Sequence, residues 1–130
     1  MSRNLETIKA LNEWEKRKFN YGDADCCQFV AHVIKHLSGE DYSKAFEYRS
    51  EKEADSLISR FGGLKELITD ILGEPSESLQ DGDPVISNFP VIGETMGVKL
   101  GKYIVCLTET GMIKMPNSRQ VCGWSICPKS

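Results

Sequence analysis

The stretch YGDADCCQFVAHVIKHLSG, Tyr21 to Gly39, sets two cysteines side by side at the point where a helix is signalled. Asp25 is a good N-cap residue, and Gly39 follows the last apolar position as a helix stop. At about 100° per residue, with Cys26 set at zero, Phe29, Val30, Val33, Ile34 and Leu37 fall within about 80° of it. Cys26 therefore belongs to the apolar face, where a free cysteine is ordinary core filling. Cys27, about 100° round the helix, falls at the edge of that face and needs no function. A thiol in the first turn also lies near the positive end of the helix dipole, which stabilises a thiolate. Position alone leaves both readings open.

The chain has two histidines, His32 and His36, to act as a base. His32 lies about 240° from Cys26, and His36 lies roughly 15 Å down the helix axis. Neither reaches the Cys26 sulfur along a continuous helix, so both are expected at the surface or a groove edge. Their HxxxH spacing suits a metal, but no third ligand lies close in sequence, and no metal or other cofactor is expected. The five cysteines, Cys26, Cys27, Cys106, Cys122 and Cys127, contain no CxxC pair. They are expected to be reduced thiols.

The 130 residues, 40% hydrophobic and 27% charged, suffice for one core, and residues 1–130 are read as a single domain. A formal net charge of −3 argues against a nucleic-acid partner. The cluster Lys16-Arg17-Lys18 is expected to be a solvated helix end. The N-terminus lacks the apolar segment of a secretory signal, and no apolar run reaches the roughly 18 residues of a membrane span. A cytoplasmic protein with no membrane partner is the expectation.

Around the central helix, Leu5, Ile8, Leu11 and Trp14 mark a helix over Asn4 to Lys18. Ser50 and Glu53 have capping-box spacing ahead of Ala54, Leu57, Ile58 and Phe61. Leu64, Leu67, Ile68, Ile71 and Leu72 form a fourth stripe, closed by Gly73. After the polar link PSESLQDGD, strands are expected near Val85–Asn88, Met96–Leu100, Tyr103–Thr108, Gly111–Met115 and Gly123–Ile126. TETG reads as a hairpin turn. Helices first and strands second make an α+β domain.

The order FNYG-x-x-DCCQFV, LQDGDPV, TMGVKLG, GMIKM resembles the NlpC-type cell-wall peptidases, a papain-like group, and most of all a small phage and prophage branch with a YGxxDC loop. The resemblance runs from Trp14 to Ile126, with Trp124 as the closing tryptophan. It implies a papain-like fold, N-terminal helices packed on a small antiparallel sheet. Carried over residue by residue, Cys26 matches the nucleophile. The base position falls on Thr95, which cannot take a proton from a thiol near neutral pH. The position that orients the base falls at about Lys114. The tyrosine that helps bind the oxyanion falls on Phe19. Tyr21, Asp25 and Thr95 become candidate binding residues of the same site.

Acyl transfer needs nucleophile, base and oxyanion donors acting as a unit, and of the four matched positions three, Thr95, Lys114 and Phe19, have lost that chemistry. The resemblance therefore implies a catalytically degenerate binding or tail-assembly module in the cytoplasm of a bacterial host or associated with a virion, with a protein partner, a phage tail or host protein. The alternative is an active cysteine hydrolase, a peptidase or amidase, using Cys26. In that case Glu94, Asp81 or Asp83, or a histidine lent by a partner chain, would serve as base. A redox role for Cys26 and Cys27 ranks last, because a disulfide between adjacent cysteines is strained.

Overall fold

The computed structural model describes residues 2–90 and 93–127. Four helices come first: α1 (Arg3–Trp14), α2 (Cys26–Ser38), α3 (Glu51–Arg60) and α4 (Leu64–Leu72). Five strands follow: β1 (Pro84–Phe89), β2 (Gly93–Leu100), β3 (Tyr103–Thr108), β4 (Gly111–Pro116) and β5 (Gln120–Gly123). The sheet is antiparallel throughout, in the order β4-β3-β2-β1-β5. The domain is α+β, as the order of the sequence signals predicts.

Helix α2 is the centre of the molecule and packs on β2 and β3, with α1 against it. Its ends are those the sequence signals. The Asp25 carboxylate accepts the Gln28 N–H at 2.8 Å, and Gly39 takes the left-handed conformation at φ 84°. Phe29, Val33, Ile34 and Leu37 are fully buried against Met96, Val98, Val105 and Leu107 of the sheet. The opposite face of the sheet carries a smaller cluster of Val85, Phe89, Ile104 and Cys106. Burying a side chain of this kind is worth about 1.5–3 kcal/mol, so the α2–sheet layer is a large favourable contribution to the fold.

Several boundaries differ from the sequence reading. Helix α1 ends at Trp14, not Lys18. The basic cluster forms a turn, because Arg17 folds back over the Trp14 ring at 4.3 Å and pairs with Asp23 at 3.2 Å. The buried face of α1 is Thr7, Ala10, Leu11 and Trp14, while Leu5 is 59% exposed. The apolar pattern was out of phase because a threonine takes a core position. Residues Ser43–Phe46 add a short 3-10 turn, tied down where the Gln28 side chain donates to the Ser43 and Phe46 carbonyls.

Strand β2 begins at Gly93, earlier than Met96, and β5 is Gln120–Gly123 rather than Gly123–Ile126. Trp124 ends that strand: its N–H bonds the Pro84 carbonyl at 2.9 Å and its buried indole donates to the Gly73 carbonyl at 2.8 Å. The closing tryptophan thus fastens the last strand to the end of α4. Glu109 and Thr110 turn the β3–β4 hairpin, as TETG suggests. Among the described residues, no helix is long and apolar enough to cross a membrane.

Candidate functional site

The first turn of α2 opens into a cleft of about 570 Å³. The YGDAD loop delivers Cys26 to it. Asn20 and Ala24 exchange backbone hydrogen bonds at 2.7 and 2.9 Å, and the Asp25 carboxylate takes both the Gly22 N–H at 2.7 Å and the Gln28 N–H at 2.8 Å. One buried carboxylate thereby fixes the loop and starts the helix. Asp25 is a positioning residue with both oxygens engaged.

Cys26, Thr95, Phe19, Tyr21 and Asp25, all predicted from the sequence, line this one cleft. Phe19 and Tyr21 meet edge to face at 4.9 Å, and Tyr48 stands beyond Tyr21 with ring centroids 6.4 Å apart. The Tyr21 hydroxyl approaches the Glu109 carboxylate at 3.4 Å. Burial first, then the nearby Glu51 and Glu109 charges, pushes the Tyr21 phenol up to about 12. Burial likewise raises the Tyr48 phenol, with the Cys27, Asp25 and Cys26 groups beside it.

The two cysteines divide differently from the helical-wheel expectation. Cys27 is buried, and Cys26 is the half-buried one that faces the cleft. Tyr48, brought across by the segment after the 3-10 turn, lies within side-chain hydrogen-bonding reach of Cys27. The Cys26 thiol is held below its ordinary value. The Cys27 thiol, placed to donate to a Cys26 thiolate, is the main cause, and the Met96 N–H adds to it, against burial and the Asp25 charge. Cys27 is driven well above its ordinary value by the same partnership and by burial.

The strand side of the cleft explains how Met96 comes into play. The β2–β3 ladder runs only from Val98↔Val105 to Leu100↔Tyr103, although β2 continues back to Gly93 and β3 on to Thr108. Beyond Val98 the ladder pairing ends, and Glu94, Thr95, Leu107 and Thr108 line the cleft. Thr95, at the predicted base position, is 6% exposed.

Other predicted residues lie elsewhere. Lys114 is exposed on β4, paired with Val105, and lines a separate groove with Ile8, Leu11 and Leu100. Continuing the β2–β3 register brings Thr108, not Lys114, level with Thr95. Asp83 is bonded to Arg3, and Asp81 accepts the Gly101 N–H at 2.8 Å, so neither is a base for Cys26. Glu94 alone of the three alternative bases reaches the cleft.

Both histidines face away, as their helical positions require. His32 Nε2 is 3.3 Å from Glu13 and its ring stacks on Trp14 at 5.2 Å. His36 lies 3.5 Å from Glu13 and 3.8 Å from Glu6. Among the described residues, no three His, Cys, Asp or Glu side chains are placed to hold a metal ion.

Sequence reasoning missed Tyr48, Met96, Thr108 and Glu109, as well as the α3 wall of Glu51, Ala54 and Asp55. Thr108 and Glu109 belong to the TETG turn, which the sequence signals; the others come from separate segments and share no motif with it.

A comparison with curated proteins finds no match. The family model for the domain of unknown function DUF6950 matches residues 3–126, and the chain belongs to that family.

Proposed function

We propose that this chain is an NlpC-like, papain-fold protein that keeps the cleft of a cysteine hydrolase and uses it to bind a protein partner without cleaving it. One observation carries this reading: no imidazole lines the cleft around Cys26 among the described residues. Thr95 at the base position takes no proton from a thiol near neutral pH, and Phe19 offers no oxyanion donor. A nucleophile without its base and donors loses most of the rate, because the groups act as a unit. Tail assembly in a phage or prophage setting rests on the sequence resemblance, and fold-level analogy is its whole warrant.

The test is turnover of peptidoglycan fragments and fluorogenic peptide or acyl substrates by the wild type and by Cys26→Ser. Neither protein is expected to turn them over above the buffer rate. Hydrolysis by the wild type that Cys26→Ser abolishes overturns the binding reading.

A second reading has its own support. The lowered Cys26 thiol and the Met96 N–H beside it are what an active thiol hydrolase needs at its nucleophile. Glu94 or Glu109, which line the same cleft, would then stand in as base. On that reading Glu94→Gln or Glu109→Gln depresses the Cys26-dependent rate, by about a hundredfold for a lost general base.

A further inference from the structure

Cys26 and Cys27 are the one pair of adjacent cysteines in the chain. On a regular helix their side chains leave the axis about 100° apart, which predicts that the sulfurs diverge. The fold brings them together instead. Both line the cleft at the first turn of α2, and the Cys27 thiol lies within hydrogen-bonding reach of the Cys26 sulfur. Core filling accounts for the burial of Cys27, but it asks for no second sulfur at the cleft wall.

Two thiols that share a proton make a two-point chelate for a soft ion. Cys26 is held below its ordinary value at the start of α2, so a thiolate is at hand to ligate. An ion between the sulfurs takes the place of the proton that Cys27 donates there. Thiolates select soft ions, whereas magnesium and calcium need oxygen donors. Coordination number narrows the choice further. A structural zinc fills four positions, and among the described residues no three His, Cys, Asp or Glu side chains come together to supply them. A closed-shell monovalent ion that accepts two or three ligands, Cu(I), is what such a pair suits.

We propose that Cys26 and Cys27 bind one soft, thiophilic ion of the Cu(I) class at the first turn of α2. Two metal–sulfur bonds form, the protons that the thiols carry pass to water, and neither sulfur nor metal changes oxidation state. Two such bonds of about 2.3 Å span at most about 4.6 Å end to end. Hydrogen-bonded sulfurs lie closer than that, so the two bonds are bent and leave the ion a side for a small third ligand from the cleft. The site is independent of whether a protein partner enters the same cleft.

Cys122→Ser/Cys127→Ser, which removes the two other thiols that are not buried, is the background protein. Without oxygen, Cu(I) is titrated against it in competition with bicinchoninate, and native mass spectrometry counts the ions. One Cu(I) per chain is expected. Adding Cys26→Ser or Cys27→Ser should weaken binding by at least the roughly 100-fold that loss of an outer-shell partner costs. Excess zinc should leave the Cu(I) bound. Phenylarsine oxide is the second probe. Its arsenic bonds two thiols with loss of one water, and only where two sulfurs reach one atom. The background protein should form one adduct, mapped by peptide mass to Cys26 and Cys27, and neither single variant should form it. This readout uses a protein with both cysteines intact, so it decides the matter even where Cys27→Ser fails to fold by circular dichroism.

No arsenical adduct at this pair, or complete loss of Cu(I) to bicinchoninate, overturns the inference. Equal Cu(I) affinity in the background protein and with Cys26→Ser added means an adventitious thiol only, and overturns it as well. Zinc that displaces the Cu(I) overturns the choice of ion.

Discussion

Arg3 and Asp83 clamp the first helix to the start of the sheet. The guanidinium Nη2 donates to Asp83 Oδ1 at 2.7 Å, with Asp83 wholly buried. The same Asp83 carboxylate accepts the Ile126 N–H at 2.9 Å and the Gln80 N–H at 2.7 Å. Arg3 also donates through Nε to the Asp81 carbonyl and through Nη1 to the Ile126 carbonyl. Residues 80 positions apart, and the last described segment, are held at one point. The Gly-Asp step that leads into β1 is therefore structural in this chain.

Removing one partner of that clamp leaves the other charge buried and uncompensated. Asp83→Ala is expected to lower unfolding stability by about 3–5 kcal/mol, and Arg3→Met by a comparable amount. Urea unfolding followed by tryptophan fluorescence measures both. A loss below about 1 kcal/mol would mean that water reaches the pair.

Gly22 should be intolerant of any side chain. Its φ is +82°, and a Cβ would fall within contact distance of the Tyr48 carbonyl. Left-handed backbone costs an alanine roughly 1–2 kcal/mol before the clash is counted. Gly22→Ala should therefore destabilise the fold and push the Tyr48 segment outward, exposing Cys27. Faster alkylation of Cys27 in the variant, mapped by peptide mass, would report that movement. Asp25→Ala should cost about 2 kcal/mol or more through the lost cap and the freed Gly22 N–H.

The thiols should separate by rate. Cys26, half-buried in the cleft and held below its ordinary value, should react with iodoacetamide at a lower pH than Cys27 or Cys106. Burial pushes Cys106 up to about 12, so it should stay unmodified until the protein unfolds. Cys127 is exposed and serves as the internal standard. Cys26 reacting only at or above the pH needed by Cys127 would contradict the electrostatic description of the cleft.

His32 gives a pH dependence with a definite sign. Its folded value is lowered, chiefly by burial beside Trp14, with Glu13 opposing. The unfolded chain then binds more protons than the folded one, so stability rises with pH across that window. His32 should favour folding fully above about pH 6.5 and lose that contribution as pH falls through the lower folded value. The stability gap between wild type and His32→Gln should be constant above about pH 7 and shift against the wild type below about pH 6.5. Denaturant midpoints at a series of pH values test this, and a gap that shifts the other way on acidification contradicts it.

What the sequence determined by itself is local. Asp25 and Gly39 bound α2, Ser50 caps α3, and Gly73 closes α4, because caps and stops act within a few residues. Alternating runs and the TETG turn located four of the five strands, and helical geometry alone set His32 and His36 apart from Cys26. The tertiary structure decided everything that depends on which distant segments converge. A threonine fills the core face of α1 and leaves Leu5 outside, because the way α1 seats on its neighbours sets which face is buried. Strand β5 lies upstream of its apolar run, because Trp124 is spent on Pro84 and Gly73. Tyr48, 21 residues on from Cys27, packs beside that cysteine, the more buried of the adjacent pair. The acidic lining of the cleft comes from α3, β2 and the β3–β4 turn, whose carboxylates become neighbours only when the chain folds.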